Sequence, residues 1–233
     1  MCIRDSSNGA TLILGMGTNS TRAFSGANFS SLLGSWTSST NAGLRSGSSI
    51  GADVTGTNVT ISGAITNGAN GLLGFSLFGN GTLTLTAPNT YTGTTTISTG
   101  ALQVGNGSLN GSLGSGAVID NGSLILNSPG GYYVTNAISG TGSVSVLNTS
   151  RGSRVTLTGI NSFSGGLTVA GATVQILGDS GLGASTGTVT LNRGELYNSA
   201  GASPVISSNR SIILGSSSGY FQVYTGTTFL VNS

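Results

Sequence analysis

The side chains able to do chemistry in this chain are few, and they are scattered. Four carboxylates, Asp53, Asp120, Asp179 and Glu195, stand outside the N-terminal tail, which carries a fifth, Asp5. A glycosidase-type reaction needs two of them within several ångströms. Asp120 and Glu195 are far apart along the chain, while Asp179 and Glu195 are close enough in sequence to share one turn of a coiled chain. Solvated turn residues are the simpler reading of all four. There is no His and no Lys, so Ser-His-Asp, Cys-His, Ser-Lys and Schiff-base arrangements cannot form. Cys2 is the single cysteine, which excludes an internal disulfide and a Cys-based metal site. No calcium-binding nonapeptide, P-loop or GxGxxG is present. The expectation is no catalytic residue, no cofactor-binding residue and no metal ligand.

Charged residues make up only 5% of the 233, and the net charge of +2 comes from seven Arg against five acids. Arg151 and Arg154 form the one local basic pair and read as a solvated loop. Phosphate neutralisation is therefore poorly supported, and nucleic acid is not expected as a partner. No apolar run approaches the length of a membrane span, and no signal peptide opens the chain.

The elements that would position these side chains are short strands. Gly accounts for 41 residues. The apolar residues come in brief β-branched pulses between Ser, Thr, Asn and Gly. No window holds apolar residues at i, i+3, i+4 and i+7 with charges opposite, so little or no helix is expected. Strand candidates before the repeats are Thr11–Leu14, Phe29–Leu33 and Ile50–Val54.

From Gly81 to Val104 the chain reads GTLTLTAPNTYTGTTTISTGALQV, with Leu and Thr alternating between two faces. From Val155 to Ile176 it reads VTLTGINSFSGGLTVAGATVQI. Leu83 and Val155, Asn89 and Asn161, Tyr91 and Phe163, and Gln103 and Gln175 all pair at one constant offset, with no gap. Ala64-Ile65 and Ala137-Ile138 echo one another at nearly the same offset, and Ser112-Leu113-Gly114 resembles Gly181-Leu182-Gly183. Long-range repetition in one register favours an all-β solenoid over a sandwich, with Leu, Val and Ile ladders inside and Thr, Ser and Asn outside. At roughly 20–25 residues per rung, the offset makes about three rungs and the chain about ten, in a rod of about 45–50 Å. Tyr91 and Phe163 then read as buried corner aromatics, with a sugar-stacking platform as the alternative.

Residues 1–6, MCIRDS, read as a non-native, adapter-derived tail. Residues 7–57 read as divergent rungs or a loop-rich insertion. Residues 58–233 read as solenoid repeats at 58–130 and 131–203, with a partial copy at 204–233 that stops in mid-pattern; two open solenoid ends are expected to make the chain aggregate in isolation.

GTLTLTAPNTYTGTTTISTGALQVGN, followed by SLGSGAVIDNGSLILN and NAISGTGSVSV, resembles the autotransporter-associated β-strand repeat, also called the passenger-associated transport repeat. The likeness is close over Gly81–Asn127, looser over Val155–Asn198 and weak before residue 58. Pro88, and Gly159-Ile160 in place of Ala87-Pro88, depart from the pattern. The resemblance implies a right-handed parallel β-helix, and a non-catalytic passenger segment of a bacterial surface protein. Such a segment supports passenger folding and transport, display or adhesion, and is extracellular or at the outer-membrane surface. A translocator β-barrel is expected elsewhere in the full chain. The implied partners are a ligand on a host or neighbouring cell, or a second copy of the chain. The alternative is a carbohydrate-binding or carbohydrate-acting β-helix, which Tyr132, Tyr133, Tyr220 or Tyr224 lining one exposed groove would support.

Overall fold

The computed structural model describes residues 11–17, 24–37, 46–67, 71–147, 154–198, 203–228 and 230–231. Residues 1–6 and Arg151 lie outside them. The chain winds as a parallel β-solenoid, and every strand pairing among the described residues is parallel. Three long sheets of six, eight and five strands run along it, beside a two-stranded pair.

The alternation of Leu and Thr sets the two sides of the eight-stranded sheet. One inner column runs Val59, Leu83, Leu102, Leu124, Val144, Leu167, Val189 and Ile212. Two positions further along each strand, a second inner column runs Ile61, Leu85, Val104, Leu126, Val146, Val169, Leu191 and Leu214. Leu214, last in its column, is exposed. The residues between the columns face out and are mostly hydroxyls: Thr60, Thr84, Gln103, Ile125, Ser145, Thr168, Thr190 and Ile213. Each inner side chain that is fully buried in this way contributes about 1.5–3 kcal/mol.

Eight strands step through seven turns of unequal length, the longest from Val59 to Leu83 and the shortest from Leu83 to Leu102. The structure shows about seven turns where about ten rungs were expected, and one long detour accounts for part of the difference. Thr11–Gly15 pairs directly with Ser48–Asp53, Thr11 against Ser49, so the whole stretch between them goes into a single step. At the inter-strand spacing, seven steps extend the eight-stranded sheet over about 34 Å.

Within that detour lies an α-helix, Gly26–Thr37, where a strand was expected over Phe29–Leu33. Ser25 Oγ accepts a hydrogen bond from the amide of Asn28 and caps its first turn. Gly26 lies so close to Thr60 that a Cβ would come 1.8 Å from the Thr60 carbonyl oxygen. Phe29 is fully buried, and the helix packs on Val59–Ile61, the first strand of the eight-stranded sheet. Its apolar face is carried by too few residues to show as a helical period, and contact with the sheet edge stabilises it.

Each copy of the repeat is one turn of the coil. Thr82–Leu85 and Ala101–Val104 stack directly, Leu83 on Leu102. Arg154–Leu157 and Thr173–Ile176 do the same, Val155 on Val174, with a turn of the same length. The two copies occupy different faces, however. The first stacks in the eight-stranded sheet and the second in the five-stranded one. Three turns from Leu83 reach Val144, and Val155 lies further along the chain, one face round. The spacing between the copies is therefore three turns plus a fraction, not the three turns expected.

Both copies build the same corner. Asn89 Oδ1 accepts from the Ile65 amide at 2.7 Å on the preceding turn, and its Nδ2 donates to the Ser112 carbonyl at 2.6 Å on the following one. Asn161 Oδ1 accepts from Ile138 at 2.9 Å, and its Nδ2 donates to Gly181 at 2.9 Å. Tyr91 and Phe163 follow two positions later, fully buried. The Tyr91 hydroxyl is paired with Thr95 Oγ1 at 2.7 Å, and burial pushes its pKa up to about 12. A glycine of the next turn lies against each ring. A Cβ on Gly114 would sit 2.4 Å from the Tyr91 ring, and one on Gly183 2.8 Å from Phe163. Pro88 and Ile160 both face solvent at the outer side of the corner, so the departure between the copies leaves the corner unchanged.

Two outcomes follow for stability. Asn89→Ala and Asn161→Ala each strand a buried amide and carbonyl and cost about 1–3 kcal/mol. Gly114→Ala drives a methyl into the Tyr91 ring and its carbonyl and costs about 1–3 kcal/mol. Gly15→Ala, with open space at its Cβ position, is the control. Urea unfolding followed by circular dichroism reads all four; an unchanged midpoint for Asn89→Ala contradicts the role given to the corner.

Candidate functional site

The four carboxylates go to four separate places. Asp53 ends a strand of the six-stranded sheet and accepts from the Thr55 amide and hydroxyl in its own turn. Asp120 is in register with Ile97, Leu77, Ala52 and Leu14, so it occupies an inner, otherwise apolar column. Asp179 opens a short 3-10 turn and binds Arg210, with Arg210 Nε 2.7 Å from its Oδ1. Glu195 lies in the five-stranded sheet, with Oε2 accepting from Thr173 Oγ1 at 2.7 Å. Among the described residues, no three of His, Cys, Asp and Glu gather as metal ligands would.

Arg210 is a residue that the sequence reading passed over. Its side chain is buried, and its guanidinium also donates to the carbonyls of Leu182, Gly183 and Gly187. It thus satisfies the turn that covers Phe163 and commits Asp179 to a structural contact.

The outer face of the five-stranded sheet differs from the hydroxyl face described above. One outward column runs Tyr133, Thr156, Gln175, Tyr197 and Gln222. The adjacent one runs Arg154, Thr173, Glu195 and Tyr220. Arg154 lies over the Tyr197 ring, 3.8 Å from its centroid, and donates to Gln175 Oε1 at 3.3 Å. The reading of Arg154 as a solvated loop residue is corrected: it begins a strand and is held by its neighbours. Tyr133 and Tyr220 are 71% and 57% exposed. Tyr132 instead sits in register with the inner Val155, and its hydroxyl accepts from the Leu113 amide. Tyr224 lies past the end of the last strand of this sheet, Gly219–Gln222. Of the four tyrosines that were candidates for such a groove, two therefore stand on one outer face.

Asp120 is the titrating group with the clearest consequence. Burial raises its pKa from the ordinary 3.8 to about 6, against the lowering effect of the Gly122 and Leu124 amides. Its Oδ2 meets no donor, and Gly142 packs against the carboxyl. A raised carboxyl pKa means that the folded chain holds the proton longer than the unfolded one. Stability from this group is full below about pH 4 and falls as pH rises through about 6, by on the order of 1–3 kcal/mol. Asp120→Asn is expected to flatten that slope and to raise the urea midpoint at pH 7.5 more than at pH 4. An unaltered pH profile would show that Asp120 titrates as it does in water.

Residues 78–104 and 152–176 match the passenger-associated-transport-repeat family. A stretch of 93 residues, 40% of this chain, is 39% identical to the adhesin BmaC autotransporter of Brucella suis biovar 1 (strain 1330). That stretch spans only 3% of the relative's length. No solved structure matches the chain. Two stretches of this chain, each containing one turn of a parallel β-solenoid, are thus the ones that match the passenger-associated transport repeat.

Proposed function

We propose that this chain is a non-catalytic segment of an autotransporter passenger, exported to the cell surface, where its coils support passenger folding and carry adhesive surface. The observation that carries the reading is that each repeat match contains a coil whose corner asparagine is spent on stacking. Asn89 and Asn161 bind the turns before and after them, and Asp179 binds Arg210. Isolated carboxylates, with no His or Lys in the chain, give no general acid–base pair. The relative named an adhesin supports the adhesive part of the reading. Parallel coils that template one another also suit a chain that folds progressively as it emerges.

The test places this chain within an autotransporter passenger upstream of its β-barrel, in a Gram-negative host. Antibody labelling and protease shaving of intact cells then read its exposure. The chain is expected at the surface, and the Asn89→Ala, Asn161→Ala double variant is expected there at a clearly lower level. Retention of the unaltered chain inside the cell refutes the reading.

A further inference from the structure

We infer that the helix Gly26–Thr37 is an edge guard. It holds the place of a strand against Val59–Ile61 and keeps that edge of the eight-stranded sheet from pairing with strand Ile212–Leu214 of a second copy of the chain. The inference is independent of the display reading above.

The two end strands of this sheet are complementary in their backbones. Along a parallel ladder, successive residues of a strand turn their backbone groups to opposite neighbours. In the eight-stranded sheet the inner residues turn theirs toward the following coil. The Ile61 carbonyl accepts from Thr86, the Leu85 carbonyl from Gly105 and the Val104 carbonyl from Asn127. The residue between two inner ones turns back. In the first strand, Val59–Ile61, Thr60 therefore presents its amide and carbonyl away from the sheet. In the last strand, Ile213 turns back to Val189–Asn192, as Gly215 does when its amide donates to the Leu191 carbonyl. Ile212 and Leu214 then present their groups away from the sheet. Laid in parallel, Ile212 meets Val59 and Leu214 meets Ile61, so both inner columns run on from copy to copy.

The side chains favour the same joint. Ile213 and Leu214 are 48% and 58% exposed. Neither strand carries a charged residue to oppose the pairing. Such a joint is head-to-tail, so it does not close on itself and each added copy leaves the same edge for the next.

The helix removes one half of the pair. Gly26 lies against the Thr60 carbonyl, with no room for a Cβ between them. Ser30 Oγ accepts from the Gly63 amide at 3.1 Å, just beyond the strand, and donates to the Gly26 carbonyl at 3.0 Å. Phe29 is fully buried in the core, and Leu32 packs against it. A strand in this place carries the edge one coil further and leaves it open. A helix spends its backbone groups along its own axis and offers no edge.

The test reads the joint itself on the purified chain. A Cys2→Ser chain carries Thr60→Cys and Ile213→Cys and is treated with a short thiol-to-thiol cross-linker. Within one copy the two positions stand at opposite ends of the eight-stranded sheet, about 34 Å apart, whereas across the joint they are about 4.8 Å apart. Species of two or more chains on a denaturing gel therefore report copies joined by this edge. With the helix seated, cross-linking is expected at the level of a control carrying Thr168→Cys and Ile213→Cys. Phe29→Asp, which expels the buried ring, and Gly26→Ala, which pushes the helix off the Thr60 carbonyl, are each expected to raise it several-fold. Adding Leu214→Pro removes an outward amide of the last strand, leaves its ladder to Val189–Asn192 intact, and is expected to bring the level back down. Circular dichroism verifies each fold; Gly26→Ala decides the matter if Phe29→Asp unfolds. The inference is overturned if neither helix variant cross-links above the parent, if the parent already cross-links well above the control, or if Leu214→Pro leaves the level of the helix variants unchanged.

Discussion

Everything in this molecule depends on carrying inter-coil hydrogen bonding around a corner. Along a flat face the parallel ladder pairs each backbone group with the coil above and the coil below. At a bend the backbone turns away and its amides and carbonyls lose those partners, which is costly once they are buried. Asn89 and Asn161 restore the ladder there. An asparagine side chain carries the same acceptor and donor as a peptide group, so it can stand in for one on both sides at once. Asn136 adds a variant, with its Nδ2 donating to the carbonyls of both Gly114 and Gly116 on the preceding turn.

The corner then dictates its neighbours. A bend leaves a wider space inside than a flat face does, and a large ring fills it: Tyr91 in one copy, Phe163 in the other. The next coil must cross that ring at backbone distance, and only a residue without a Cβ fits, which accounts for Gly114 and Gly183. The short Leu-Gly echo downstream of each repeat is thus part of the repeat's packing. Leu113 and Leu182 precede these glycines and complete the core around each ring.

Because each repeat is a self-stacking coil, it can be laid on any face of the solenoid. The first copy stacks in the eight-stranded sheet and the second in the five-stranded one. Rotation of the motif around the axis frees the outer faces to differ. The eight-stranded face carries mostly hydroxyls, and the five-stranded face gathers tyrosines, glutamines, an arginine and a glutamate. Stability resides in the inner columns and corners, and recognition can vary outside them at little cost to the fold.

The sequence by itself determined the local chemistry. Alternating Leu and Thr assigned the inner and outer sides of Thr82–Leu85 and its stacked partners, because side chains on a strand alternate with a period of two. The repeated Asn, aromatic and Leu-Gly positions were legible as a repeating unit, and the poverty of His, Lys and acids was legible as poor catalytic equipment. Three things were decided only by tertiary structure. Whether the offset between the copies closes three turns depends on the length of every intervening turn. Those lengths are unequal, as Val59 to Leu83 against Leu83 to Leu102 shows, so small differences move the second copy to another face. The helix at Gly26–Thr37 exists because an edge strand is there to pack against, a contact invisible in its own residues. The five-stranded sheet gathers Tyr133, Arg154, Gln175, Glu195 and Tyr220 from widely separated parts of the chain. Its members become neighbours only when parallel stacking converts distance along the chain into a few inter-strand steps.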